Sequence, residues 1–372
     1  MNYQIITQES DLQRVCHAAR GKNAIALDTE FVRTRTFYPQ LGLIQLYDGE
    51  NVSLIDPLEI ADMSPFVELL EDTNVIKVLH ACGEDLEVFK HSFSAVPKPM
   101  LDTQIMAAFL GQGLSTGFAS LVNSYLDIEL DKSESRTDWL ARPLSVKQLE
   151  YAAADVYYLL PIFGFLFKQV SEAGWLEASM QESQRMIDKR DVQPEPEKAY
   201  LDIKGAWQLK PKQLAVLKPL AEWRYREAVR RDLALNFVFR ENELLTIARH
   251  GLQTKQAMEQ EGLDGRAINR HSAKLISLVK QAKQTPESDY PEKIERLMDL
   301  PGYKQMMAKL KEQVVAVSKE TGLATEFLAS KKQLNQFIQW SWKLDQNTQQ
   351  MPDVMQGWRA SLLGPKLMSC IA

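Results

Sequence analysis

Asp28-Thr-Glu30 lies inside the apolar run Ala24–Val32 (AIALDTEFV). In an extended strand residues i and i+2 face the same side, so both carboxylates project together from an element otherwise suited to burial. Buried acids repel one another and are costly unless a cation or hydrogen-bond donors neutralise them, and a divalent metal is the economical partner. The spacing alone carries little. Asp-x-Glu recurs at Asp48/Glu50, Asp85/Glu87 and Asp127/Glu129, and only the first copy sits in a strongly apolar strand. The competing reading of that copy is an exposed pair at a strand edge.

Two further segments carry acids with suitable neighbours. His80-Ala-Cys-Gly-Glu-Asp85 follows the apolar stretch Val75–Leu79, and its Gly83 suits a turn into a helix. Asp85 then falls in a first helical turn near the carboxyl end of a strand, where α/β sheets bind ligands, or it serves only the helix N-terminus electrostatically. Tyr151-Ala-Ala-Ala-Asp155 is a good helix former; its ends, four residues apart, share one face, with small residues between them. A half-buried Tyr with a solvated Asp is the plainer reading of that motif. Together the segments say more than each alone. Two-metal phosphoryl chemistry needs several carboxylates to hold ions about 4 Å apart. Asp28, Glu30, Asp85 and Asp155, with Tyr151 to orient a water, complete such a set.

The elements that must position these groups follow from hydrophobic patterning. Residues 24–32, 41–47, 51–56 and 75–80 are short, rich in Val, Ile and Leu, and bounded by Gly, Asn or Asp, as strands are. Helical spacing covers 11–20, 65–71, 84–91, 102–110 and 145–167. The pattern predicts a mixed α/β sheet covered by helices. Residues 188–200 (DKRDVQPEPEKAY) hold two prolines and dense charge, and read as a linker. Beyond it, 212–231, 241–249, 272–282, 303–321 and 324–341 are helical, so the C-terminal half is expected to be all-α. Ala228–Leu235 is echoed by Ala316–Leu323, each before a further helix, though pairing them needs an insertion; a Pro-containing break near 285–291 would separate two helical units.

The chain has 372 residues, 45% hydrophobic and 25% charged, the proportions of an ordinary globular protein of two or three domains. Three cysteines, Cys16, Cys82 and Cys370, are odd in number and widely spaced, which excludes a disulfide framework or a CxxC zinc site and favours a reducing, cytoplasmic setting. Met1–Ser10 lacks the pattern of a cleaved signal, and the apolar run Val156–Phe167 falls short of the roughly 20 residues that span a bilayer. It is expected to be a buried helix. The net charge of −5 hides two opposite halves. Residues 1–199 carry 17 Lys+Arg against 30 Asp+Glu (17 − 30 = −13), and residues 200–372 carry 27 against 19 (27 − 19 = +8). An acidic half suits bound cations and a basic half suits polyanions.

LDTEF, HACGEDLEVF and YAAADVYYL, in this order, resemble the three exonuclease motifs of the DEDD superfamily in its tyrosine-containing subgroup. Arg136–Ser145 (RTDWLARPLS) and the helical tail narrow the resemblance to the ribonuclease D family, over essentially the whole chain. The resemblance implies a ribonuclease H-like exonuclease domain with a mixed sheet (1–190), followed by two all-α HRDC-like domains (204–285 and 291–372). It implies that Asp28, Glu30, Asp85 and Asp155 hold two divalent ions, Mg2+ or Mn2+. Asp28 would bridge both, Glu30 and Asp155 would complete the site of the nucleophilic water, Asp85 would serve the other ion, and Tyr151 would orient the nucleophile.

The implied reaction is 3′ to 5′ hydrolysis of RNA that releases nucleoside 5′-monophosphates, with precursor tRNA 3′ ends as substrate, no membrane partner, and a monomer as the working expectation. An exonuclease acting on DNA and a non-catalytic RNA-binding protein are the alternatives. Thr29 and His80 flank the motifs, where they would touch the terminal nucleotide or pack the site; Cys82 and Phe31 are expected to pack. Arg136, Trp139 and Arg142 either hold the RNA end, by stacking on bases and pairing with phosphate, or form a buried Trp with self-paired charges. Arg224, Arg226, Arg230 and Arg231 either form a phosphate-binding strip or a solvated helix face.

Overall fold

The computed structural model describes residues 1–131 and 133–371. They divide into two compact units: residues 1–32, 39–192 and 301–372 form the first, and residues 33–38 and 193–300 the second. The first is built on six strands, β1 (Tyr3–Ile6), β2 (Ala24–Val32), β3 (Gln40–Tyr47), β4 (Val52–Ile55), β5 (Ile76–Leu79) and β6 (Met100–Asp102), in the order β1-β4-β3-β2-β5-β6. β2, β3 and β4 are antiparallel neighbours, while β1 pairs with β4, and β5 with β2 and β6, in parallel. The mixed sheet is the one expected.

Helices cover both faces. α1 (Glu9–Arg20), α2 (Ser64–Glu71) and α3 (Gly83–Phe93) pack with Ile25, Leu27, Ile44 and Leu46 on one side. α4 (Thr103–Phe109), α5 (Phe118–Leu126), α6 (Val146–Tyr157) and α7 (Leu159–Glu172) pack with Ala26, Leu43 and Val78 on the other, and α8 (Leu176–Asp191) lies against β6. Strand alternation then decides where the acids go. Ala26, Asp28 and Glu30 share the face toward α6 and α7, and Thr29 shares the face of Leu27 toward α3.

The expected helix over 145–167 is two helices. α6 stops at Tyr157 and α7 restarts with Pro161 in its first turn, where a missing N–H does no harm. The stretch Val146–Glu172 has the length and composition to cross a membrane, but Ala152, Ala153, Val156, Ile162, Leu166 and Val170 are buried in the core of the first unit. The segment 188–200 is less open than expected, because α8 runs through Asp191 before the Pro-containing stretch begins.

The second unit is all-α: α9 (Pro211–Arg231), α10 (Leu235–Val238), α11 (Glu241–His250), α12 (Lys255–Gln260) and α13 (Gly265–Ala282). The remaining helices, α14 (Tyr303–Thr321), α15 (Thr325–Leu328), α16 (Lys331–Lys343) and α17 (Gly357–Met368), pack within the first unit. The echo between the two helical stretches is a shared turn. α9 ends on Asp232 (φ 47°) and α14 on Gly322 (φ 75°), both left-handed. A one-turn helix starts three residues after each, at Leu235 and Thr325, and the next helix starts nine residues after each, at Glu241 and Lys331. Paired on the left-handed residue, the turns match without an insertion.

Candidate active site

β2 and α6 bring three of the four acids together. One carboxylate oxygen from each of Asp28, Glu30 and Asp155 lies within 4.8 Å of the others. Ser145 starts α6 with a reciprocal cap, accepting from the Gln148 amide while the Gln148 side chain accepts from the Ser145 amide. Buried Ala152 and Ala153 then let α6 pack closely against β2, β3 and β4. Tyr151 and Asp155 stand at i and i+4 on α6, and the Tyr151 hydroxyl donates to that carboxylate. The fourth acid, Asp85, comes from the first turn of α3 and accepts a hydrogen bond from Thr29 Oγ1 at 2.5 Å. Thr29 thus links β2 to α3, and at 5% exposure it packs the site from beneath.

Burial pushes every carboxylate pKa up, and repulsion from the other acids of the site adds to it at Asp28 and Glu30. Asp28 is raised well above the usual range by desolvation and then by Asp85, Asp155 and Glu30. Desolvation followed by Asp155 and Asp85 raises Glu30 to about 9. Desolvation raises Asp155 to about 7, opposed by the Tyr151 hydroxyl, and Asp85 to about 6, opposed by Thr29. Tyr151 is also shifted upward, by desolvation and by Asp155, so its phenol stays protonated at neutral pH. Among the described residues no Lys or Arg forms an ion pair with any of the four acids. Four buried oxygen-donor groups, with no ion-paired cationic side chain among the described residues, fit divalent cations of the hard, oxygen-preferring kind. A cavity of about 250 Å³ opens beside Tyr151 and Asp155, lined also by Glu134, Lys147 and Glu150.

Other expected residues take structural places. Trp139 is 1% exposed and its ring lies 6.1 Å from that of Tyr151, so its face is not free to stack on a base. Its carbonyl oxygen would lie 2.5 Å from a Cβ at position 42, an approach that only Gly42 permits. Arg142 spends all five donors on Asp56, Gly42, Trp139 and Ala141, and pins the same loop to β3. Trp139 and Arg142 therefore leave the substrate-binding set, and of that cluster Arg136 alone is exposed. Arg224 leaves it too: it is 4% exposed and caps the Leu235 and Phe239 carbonyls and the Asn236 side chain. Arg230 and Arg231 are paired with Glu227, and Arg226 with Glu222, so two carboxylates on the same helix offset part of the expected basic strip. His80 bonds Thr103 at 2.9 Å and lies against Phe118, with burial lowering its pKa, so it is neutral at pH 7. Cys82 and Phe31 pack in the core as expected.

Two residues escape a reading of the sequence. Gln45 is fully buried opposite Asp28 in the β2–β3 register, and neither of its amide atoms has a partner among the described residues. A Gln inside the apolar run LGLIQLY is the available signal. Asp102, 1% exposed at the end of β6, accepts from the amides of Ala81, Cys82, Gln104 and Ile105. In the sequence it stands out only as a helix start.

Residues 3–171 match the family described as 3′-5′ exonuclease, residues 213–279 the HRDC domain, and residues 301–367 the ribonuclease D C-terminal HRDC domain. The chain is 51% identical to "Ribonuclease D" of Serratia proteamaculans over 371 residues, covering 100% of this chain and 99% of that protein. It is 49% identical to "Ribonuclease D" of Escherichia coli, covering 99% and 98%. The crystal structure of Escherichia coli RNase D, described as an exoribonuclease involved in structured RNA processing, superposes with a TM-score of 0.96 at 49% identity, covering 100% of this chain and 99% of that one.

Proposed function

The chain belongs to the ribonuclease D family, and from that premise we propose that it trims the 3′ ends of stable RNA precursors, precursor tRNA first among them. It is a 3′–5′ exoribonuclease, with an exonuclease domain on a mixed sheet followed by two HRDC domains. Its fold implies divalent metal ions, which we take to be Mg2+ or Mn2+ on the preference of hard cations for carboxylate oxygen. We divide it at 1–190, 204–285 and 291–372, and place it in the cytoplasm as a monomer.

The observation that carries this reading is the convergence of Asp28, Glu30, Asp85 and Asp155 from β2, α3 and α6, with raised pKa values and no cationic partner. Bound divalent ions lower the pKa of a coordinated water and offset charge developing on the phosphate. Asp28, which feels the charge of the other three, would hold the divalent ions together with Glu30, Asp85 and Asp155. Glu30 and Asp155 hold the side on which water attacks. Tyr151, kept protonated, orients that water and the Asp155 carboxylate rather than removing a proton. Asp85, braced by Thr29, would supply a further carboxylate to the divalent ions. The RNA loses one nucleoside 5′-monophosphate per cleavage.

A tRNA precursor with a short 3′ extension and a DNA strand of the same sequence, each labelled at the 5′ end, test the substrate assignment. The RNA should shorten stepwise to the mature end while the DNA persists. Preferential loss of the DNA would move the assignment to DNA, and binding without shortening would make the protein a non-catalytic RNA binder.

A further inference from the structure

α3, which delivers Asp85, has no side-chain cap of its own. Its N-cap is Cys82, and the residue before, Ala81, is held at φ 55°, a left-handed conformation that an alanine rarely adopts. What fixes this turn is a carboxylate 20 residues further on. Asp102 Oδ1 accepts from Ala81 N at 3.1 Å and Oδ2 from Cys82 N at 2.9 Å. The same Oδ1 accepts from Gln104 N at 2.7 Å and caps α4. One buried carboxylate therefore pins the starts of two helices, and Asp85 lies three residues beyond the pinned amide of Cys82.

The support continues away from the site. Asp102 N donates to Ser183 Oγ of α8 at 3.3 Å, and Ser183 is fully buried. The preceding residue, Glu182, accepts from Arg359 of α17 through Nη1 and, at 3.1 Å, Nη2, and from Trp358 Nε1 at 3.1 Å. Arg359 is 3% exposed, stacks 4.3 Å from the Trp358 ring, and also donates to the Phe327 and Leu328 carbonyls. Every one of these residues lies in the first unit.

We propose that Asp102 is a positioning residue for Asp85, and that the Glu182–Arg359 pair extends this scaffold into the C-terminal helices, making them part of what holds the metal site in shape. The proposal rests on the assignment of Asp85 as a metal-holding carboxylate. It follows the general behaviour of groups behind metal ligands, whose loss costs about 10- to 100-fold in metal affinity or activity. Asn at position 102 keeps the shape but turns one acceptor into a donor facing an N–H, so either Cys82 or the Ala81 and Gln104 amides are orphaned.

The full-length protein is compared with Asp102→Asn, Ser183→Ala, Arg359→Met and Asp85→Asn. The measurements are the Mg2+ concentration for half-maximal rate, kcat and KM for RNA, and, without metal or RNA, amide hydrogen exchange over residues 80–86. Asp102→Asn should raise the Mg2+ requirement about 10-fold, leave KM for RNA within about twofold, and speed exchange at 80–86. Arg359→Met should shift the same readouts in the same direction and by less; Ser183→Ala, which removes a single bond, remains informative if the larger changes prevent folding. Lower thermal stability with the Mg2+ requirement and exchange at 80–86 unchanged would overturn the proposal and leave Asp102 a fold residue. An unchanged Mg2+ requirement in Asp85→Asn would instead overturn the metal role of Asp85 itself.

Discussion

At the residue scale, the four acids behave as a site that is stable only when something positive joins it. The folded-state pKa values of Asp85, Asp155 and Glu30, at about 6, 7 and 9, all lie above the unfolded values near 4. The metal-free folded protein thus binds more protons than the unfolded chain between about pH 4 and 9. Its stability should be fully present below pH 4 as far as these groups are concerned, and should fall as pH rises through that window. Thermal melts in EDTA from pH 5 to 9 should show the decline, and added Mg2+ should reverse it most at the alkaline end; a metal-free protein whose melting temperature rose from pH 6 to 9 would contradict the electrostatics. These acids were legible because strand and helix periods fix which side chains meet: i, i+2 for Asp28 and Glu30, and i, i+4 for Tyr151 and Asp155. Asp102 and Gln45 were not, because a buried polar residue announces itself only through partners distant in sequence.

At the element scale, the interrupted runs were the hard ones. β1 (YQII) is a half-exposed edge strand with only one fully buried residue, β6 has three residues, too few for alternation to register, and α6 and α7 are split near a proline that a hydrophobic count passes over. The arginines of α9 show the limit of charge counting, since Glu222 and Glu227, one turn away, offset part of their charge and Arg224 is buried. A group of cations of the second unit without an ion pair among the described residues lies at the meeting of α9, α11 and α13. Lys210, Lys212, Arg249 and Lys283 line a cavity of about 430 Å³ there that contains no acidic side chain. That cavity is the better candidate for holding phosphate. Lys212→Gln with Lys283→Gln should weaken RNA binding and reduce the log–log salt slope by roughly 1 for each phosphate no longer neutralised, whereas Arg230→Gln should leave both near wild type. The reverse pattern would restore the strip on α9.

At the scale of the whole molecule, the opposite charge of the two halves is silent on where the last helices go. Residues 301–372 pack with the sheet unit, with Phe109 against Phe327 at 4.7 Å and Trp358 at 4.9 Å, and Arg359 against Glu182. Sequence periodicity places helices but is silent on which core receives them, since any apolar stripe matches any other. Truncation after Leu300 should therefore expose Phe109, lower the melting temperature of the sheet unit and increase binding of a hydrophobic dye; an unchanged melting temperature would mean that these helices only lean on the core. The central claim, metal-dependent removal of nucleotides from the RNA 3′ end by the β2–α3–α6 carboxylates, meets its most direct test in 5′-end-labelled single-stranded RNA incubated with wild type or Asp28→Asn, in Mg2+ or EDTA. The account predicts a ladder shortening from the 3′ end with wild type in Mg2+ alone, and a rate at least about 10³-fold lower in the variant, as expected when a group acting with others in the transition state is lost. Full activity in EDTA or in Asp28→Asn would contradict it.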